Sequence, residues 1–164
     1  MCNFLTNKNL LENTLPIAIA LLTVVCLSVI IVVVIKKYKW SLFKVDRMKG
    51  DEFEDFVKEI YELLHYKVTK TKKSGDQGID LIVKKHFKKT GIQLKRYSKT
   101  VGNSAVQEAV AGKKYYKLDK VCVLTNRTFT KSAIALAKSN GVVLIDRNGL
   151  KELINKAKKR KKSL

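Results

Sequence analysis

Four residues in the middle of the chain have the types and spacing to hold a hard metal ion beside a polyanion. They are Asp80 in "SGDQGIDLIV", Gln93 and Lys95 in "GIQLKRY", and Glu54 in "GDEFEDF". Hydrolysis of a phosphodiester needs in-line attack by water and relief of the charge that grows on the phosphate oxygens. One or two divalent cations held by oxygen ligands supply both. The minimum protein set is a carboxylate, a second oxygen ligand, and a lysine close to the attacking water or the scissile phosphate. Asp80, Gln93 and Lys95 make up that set, with Lys95 placed to orient the water or lower its pKa. The main-chain carbonyl of Leu94 and the Glu54 carboxylate are further oxygen donors. The expected catalytic residues are therefore Asp80, Gln93, Lys95 and Glu54. The expected metal ligands are Asp80, Gln93, Leu94 and Glu54, and the expected cofactor is Mg²⁺ or Mn²⁺. An aspartate followed by Gln-x-Lys also fits a turn acid and a half-exposed strand, so the triplet needs its surroundings to be informative.

The surroundings must bring Asp80 to Gln93 and Lys95. "YKVTKT", "IDLIVK" and "GIQLKRY" read as three strands, the last two joined through the hairpin-length "KHFKKT". Side chains alternate along a strand, so Gln93 and Lys95 share a face that Ile92 and Leu94 do not. An Asp80 that opens the preceding strand on that same face meets both at one end of the hairpin. Upstream, Phe53, Phe56, Val57, Ile60, Leu63 and Leu64 form one stripe of a helix capped by Asp51. Glu54 lies about 100° round from Phe53, at the edge of that stripe. Downstream come a helix over "SAVQEAVAGKKYY", a central strand "KVCVLT", and a helix with a Thr130 cap and a Gly141 stop. "VVLID" then reads as a buried strand and "NGLKELINKAKK" as a closing helix. Asp76, between Gly75 and Gly78, fits a turn residue as well as it fits a metal or supporting residue, while Gln107 and Glu108 lie on a helix that could approach the site but read better as a solvated face.

The 34 basic residues outweigh 14 acidic ones, a formal charge of +20 that suits nucleic acid or anionic lipid as partner. Three scattered cysteines without a CxxC, and two isolated histidines, exclude a disulfide framework and a zinc cluster. "LPIAIALLTVVCLSVIIVVVI", residues 15–35, is uncharged and long enough to cross a bilayer. No basic stretch precedes it and no small-residue cleavage site ends it, so it reads as a retained anchor rather than a signal peptide. Lys36, Lys37 and Lys39 flank its end, which places the remainder in the cytoplasm. The expected organisation is a tail at 1–14, a membrane helix at 15–35, a basic linker at 36–49, a catalytic domain at 50–155, and a frayed basic tail at 156–164.

Several collinear segments carry a further resemblance. "FE" at 53–54, "SGDQGIDLIV" at 74–83, "IQLKRY" at 92–97, "VGNSAVQEAVAG" at 101–112 and "VLTNRTFTKSAIALAKSNGVVLID" at 123–146 resemble the catalytic domain of Mrr-type restriction endonucleases, within the PD-(D/E)xK nuclease superfamily. The resemblance spans about Gly50 to Leu153. It implies an α/β restriction-endonuclease-like fold with an αβββαβ core, a mixed sheet flanked by helices, and a divalent-metal-dependent endonuclease acting on DNA. By position Asp80 matches the metal-binding aspartate, Gln93 the middle ligand, Lys95 the catalytic lysine and Glu54 the helix carboxylate. Gln93 departs from the Glu or Asp usual in the wider superfamily, although the Mrr branch resembles this chain in using Gln. The partners implied are DNA and, through the single apolar helix, a membrane, with a homodimer left open. A catalytically weak DNA-binding module tethered to the membrane is the alternative reading.

Overall fold

The computed structural model describes residues 2–71 and 77–163. They form two units, Met1–Ser41 and Leu42–Leu164. The first is a helix, α1 (Cys2–Lys39). Its segment Thr14–Ile35 has a mean hydropathy of 3.3 and none of it is buried. This helix is long and apolar enough to cross a membrane. The hydroxyls of Thr23 and Ser28 donate back to the carbonyls of Ala20 and Val25, both at 2.7 Å, so neither needs water. Residues 2–14, expected as part of a tail, belong to the same helix.

The second unit is built on a five-stranded sheet in the order β1-β2-β3-β4-β5. β1 (Lys67–Lys70), β2 (Leu81–Lys85) and β3 (Lys88–Lys95) form an antiparallel meander, while β4 (Lys120–Thr125) and β5 (Val143–Ile145) continue parallel to β3. α4 (Asn103–Tyr115) and α5 (Lys131–Asn140) cover one face through Ala105, Val106, Ala109, Ala133 and Ala137, packed against Val121 and Val123. α3 (Gly50–Leu63) and α6 (Arg147–Lys162) pack together on the other face. From Gly50 onward the order αβββαβαβα is the expected one, a mixed sheet flanked by helices.

Local chemistry accounts for most element ends. α3 buries Phe53, Phe56, Val57 and Ile60 of the expected stripe and Tyr61 besides, while Leu63 and Leu64 are half-buried. Its cap differs: the helix starts at Gly50, so Asp51 falls inside the first turn and the Glu52 carboxylate accepts from Lys49 N at 2.9 Å. Thr130 caps α5 by accepting from Ala133 N, and Gly141 ends it with a left-handed φ of 63°. The β2–β3 connection is shorter than "KHFKKT". Lys85 pairs with Lys88, and only His86 and Phe87 form the turn. β5 is not the buried strand its apolar letters suggest. It pairs with β4 alone at the sheet's edge, and Val143 is 48% exposed. The basic end, expected as frayed, continues α6 to Lys162; Ala157 is buried and Arg160 Nε donates to His65 Nε2 at 3.0 Å.

The stretch expected as a linker, 36–49, contributes its second half to the folded unit. Val45, the last residue of α2 (Leu42–Val45), and Met48 are buried, and Asp46 is the centre of a polar cluster. Arg147 donates to both Asp46 oxygens, at 2.8 and 2.9 Å, and Asn126 Nδ2 donates to Oδ1 at 2.9 Å. Asn126 Oδ1 in turn accepts from Tyr97 N at 2.9 Å. One carboxylate thus joins the segment before α3 to the ends of β3 and β4 and the start of α6. The Arg147 hydrogen bond outweighs the effect of burial and holds the Asp46 carboxyl below its ordinary value of 3.8. A carboxyl depressed on folding stabilises the fold fully above its unfolded pKa, and loses that contribution as pH falls through the folded value. Asp46→Asn is expected to cost about 1–3 kcal/mol at neutral pH. Thermal unfolding across pH should show the two proteins converging only below about pH 4.

Candidate active site

The register of β2 and β3 brings the candidate residues together. Leu81 pairs with Ile92, and one step earlier Asp80 N donates to Ile92 O at 3.0 Å. An Asp80 Oδ2 acceptor then takes the Leu94 amide at 2.5 Å, which turns the carboxylate onto the strand that carries Gln93 and Lys95. On that strand Gln93 is level with Val123 of β4 and Lys95 with Thr125, so both share the face covered by α4. Gln93 is only 5% exposed. Among the described residues, Gln93 Oε1 and Arg96 Nε are the buried side-chain polar atoms without a hydrogen-bond partner. A buried amide oxygen left without a donor costs about 1–3 kcal/mol, and a hard cation is a natural partner for it.

Lys95 is held from above. Its ammonium lies 2.6 Å from Glu108 Oε2 of α4, with 13% of the lysine side chain exposed. Burial alone pulls the Lys95 pKa down. The hydrogen bond and charge of Glu108 outweigh it, Tyr97 and Asp80 add to them, and the net value lies above the ordinary 10.5. The Asp80 contribution means that these two charges act on each other, as the set requires. Lys95 O meanwhile accepts from Thr125 Oγ1 at 2.6 Å, which fixes the end of β3 against β4.

Glu54 arrives from the other side. α3 covers the opposite sheet face, and there Glu54 Oε2 is 3.1 Å from Lys70 Nζ, a lysine that Asp55 also binds at 2.7 Å. Lys70 is the last residue of β1 and pairs with Leu81, so Glu54 reaches the same end of the sheet as Asp80 while engaged by a cation. Among the described residues no three His, Cys, Asp or Glu side chains cluster tightly enough to hold a metal by themselves. The oxygen set around Asp80 depends on the neutral Gln93. Asp76 lies outside the described residues.

Glu108, expected more as part of a solvated face than as a neighbour of the site, pairs with Lys95, while Gln107 beside it is exposed. The loop that carries Asp80 lies directly on α4. A Cβ at Gly78, whose φ is +77°, would stand 2.5 Å from Glu108 O, and one at Gly112 would stand 2.6 Å from Gln77 O. These two glycines let loop and helix approach closely enough for Glu108 to reach Lys95. The signal was present as spacing: Ala105, Glu108 and Gly112 recur at i, i+3 and i+7, with a glycine inside a helix that gains nothing from it locally.

Residues 45–154 match the family described as Restriction endonuclease (Mrr_cat), more than half of the chain. The chain belongs to the Mrr_cat restriction endonuclease family. No curated protein matches it. Two solved structures share the fold of this Mrr_cat chain. The DNA modification-dependent restriction endonuclease AspBHI is 19% identical, with a TM-score of 0.58 over 76% of this chain and 36% of that one. A protein of unknown function, AF1548, is 16% identical, with a TM-score of 0.54 over 65% of each chain. The chain thus spans about two thirds of one neighbour and about a third of the other.

The Mrr_cat core tests the close approach at Gly112 with an unusual sign. Alanine normally gains about 1 kcal/mol over glycine inside a helix. Gly112→Ala is instead expected to lose about 1–3 kcal/mol, because its methyl group meets the backbone at Gln77. Thermal unfolding checks this; a stabilised variant would mean the contact is loose.

Proposed function

We propose that this restriction-type nuclease is a divalent-metal-dependent DNA endonuclease, anchored in a membrane by α1, with its catalytic unit on the cytoplasmic side. The observation that carries the reading is the buried, unpartnered Gln93 Oε1 on the face where Asp80 and Lys95 interact. Asp80 and Gln93 Oε1 fit a hard cation by donor chemistry, with the Leu94 carbonyl and Glu54 as further donors once Lys70 releases the latter. Bound Mg²⁺ or Mn²⁺ would supply neutralisation of phosphate charge and activation of water. The anchor rests on the apolar segment Thr14–Ile35, and the cytoplasmic placement on Lys36, Lys37 and Lys39 at its end.

The chain's own groups divide the remaining work. Glu108 offsets the burial that would otherwise lower the Lys95 pKa. As an ammonium, Lys95 stabilises the phosphate oxygens and orients the attacking water rather than serving as a free base. Asp80 is fixed by the Leu94 amide, so it enters the reaction without rotating. The surrounding lysines draw in the polyanion. A catalytically weak DNA-binding module is the second reading, favoured by the neutral amide at Gln93.

Incubating the full chain in detergent micelles with supercoiled plasmid and Mn²⁺ decides between them. Nicked or linear DNA is expected, and its formation should fall by at least about 10²-fold in Asp80→Ala and in Lys95→Ala. Equal products from the Lys95→Ala protein, or none from the parent at any metal concentration, would refute the proposal. Glu108→Gln adds a pH signature. Where loss of the Lys95 charge ends activity, the parent's alkaline limb should reflect its raised pKa. Without the Glu108 charge the main opposition to burial is lost, so the limb should move to lower pH in a pH–rate profile.

A further inference from the structure

The far end of the sheet from the candidate site ends in a feature that neither packing nor turn chemistry explains. The β2–β3 hairpin closes on His86 and Phe87, with lysine pairs on either side in "KKHFKK". Phe87 is 96% exposed, the most exposed large apolar side chain among the described residues. His86 takes a left-handed φ of 53° at a position where a two-residue turn favours Asn or Gly. A folding requirement would have placed small polar residues here.

The charge around it is concentrated. Register pairs Lys85 with Lys88, Lys84 with Lys89 and Lys67 with Lys84, while Lys120 starts β4 level with Thr90. All six lysines are exposed. The acids at this end are engaged: Asp119 Oδ2 accepts from Lys89 N at 2.7 Å, and Glu62 lies 3.7 Å from Lys58. Lys85 lies over the Tyr66 ring, 4.7 Å from its centroid, and α6 brings its basic last turn to the same end through the Arg160–His65 contact. Lys88 is seven residues from Lys95 along β3, roughly 23 Å at the rise of a strand. This is a separate surface from the candidate site.

We propose that the Phe87 hairpin is a second DNA contact, in which the lysines grip duplex phosphates and the phenyl ring wedges against exposed base faces. The proposal rests on the nuclease reading for its choice of polyanion. Charge complementarity favours a phosphate polymer, and an exposed aromatic ring set among cations favours one that carries bases. A wedge residue flanked by cations is the arrangement that unstacks a base step while holding the backbone.

The test uses the full chain in neutral phosphatidylcholine nanodiscs with EDTA, a labelled duplex carrying 2-aminopurine, and a salt titration. Lys84→Ala/Lys88→Ala/Lys89→Ala should reduce the salt slope of binding by about 3. Phe87→Ser should weaken binding roughly tenfold, leave the slope unchanged, and abolish the rise in 2-aminopurine fluorescence. Unchanged affinity and slope in both variants would overturn the proposal. So would variants that keep duplex binding but lose binding to phosphatidylserine nanodiscs, the result of a lipid foot. The Lys95→Ala protein should retain the hairpin-dependent binding. Intact binding in a parent that cuts no plasmid would sink the nuclease reading while leaving this contact standing.

Discussion

One constraint organises the Leu42–Leu164 unit: the antiparallel register that sets Asp80 one step beyond the Leu81–Ile92 pair. Side chains in a sheet alternate, so slipping this register by one residue would send Gln93 and Lys95 to the α3 face and Asp80 away from them. The register is held by burial on the face opposite Gln93 and Lys95. Leu81 and Ile92 are fully buried, and Val83 nearly so. The Leu94 amide then fastens the carboxylate itself. A charge-assisted bond of this kind fixes orientation as well as position. The rest of the site follows from it, since α4 can bring Glu108 to Lys95 only if the Asp80 loop lies flat on the helix.

A second consequence concerns how a buried lysine is kept charged. Taking an ammonium out of water costs several kcal/mol unless a partner compensates. Glu108 is that partner, at 2.6 Å. The neutral Gln93 makes the compensation more important. A carboxylate at that position would have supplied negative charge next to Lys95; an amide does not. In this chain the second carboxylate of the site comes from the helix above the sheet, and Glu54 is engaged with Lys70 on the other face.

How much of this was legible before the fold depends on the range of the physics involved. The meander, the α3 stripe, the Thr130 cap and the Gly141 stop follow from periods of two and 3.6 residues and from local turn chemistry, and they stand as read. So does the convergence of Asp80 with Gln93 and Lys95, which needs only a hairpin and alternation. The failures are tertiary. Glu108 looks solvated on its own helix and becomes a partner only because Gly78 and Gly112 permit a close approach from a distant loop. Residues 42–48 look like a linker because their two apolar anchors, Val45 and Met48, are too few to show a period. Asp46 finds Arg147 across 101 positions of sequence. "VVLID" has the composition of a buried strand, but composition does not say which strand lies last in the sheet. "KHFKKT" looks like a loop because charged letters conceal a strand whose lysines both face water.

The central claim is that Asp80 and the Gln93 amide oxygen face one ion-sized site beside Lys95. The most direct measurement is the anomalous signal of Mn²⁺ in crystals of the full chain. The account predicts a peak within coordination distance of an Asp80 carboxylate oxygen and Gln93 Oε1, about 2.1–2.6 Å from each. A Mn²⁺ peak that touches neither residue, or a saturated crystal with no peak near them, would contradict it.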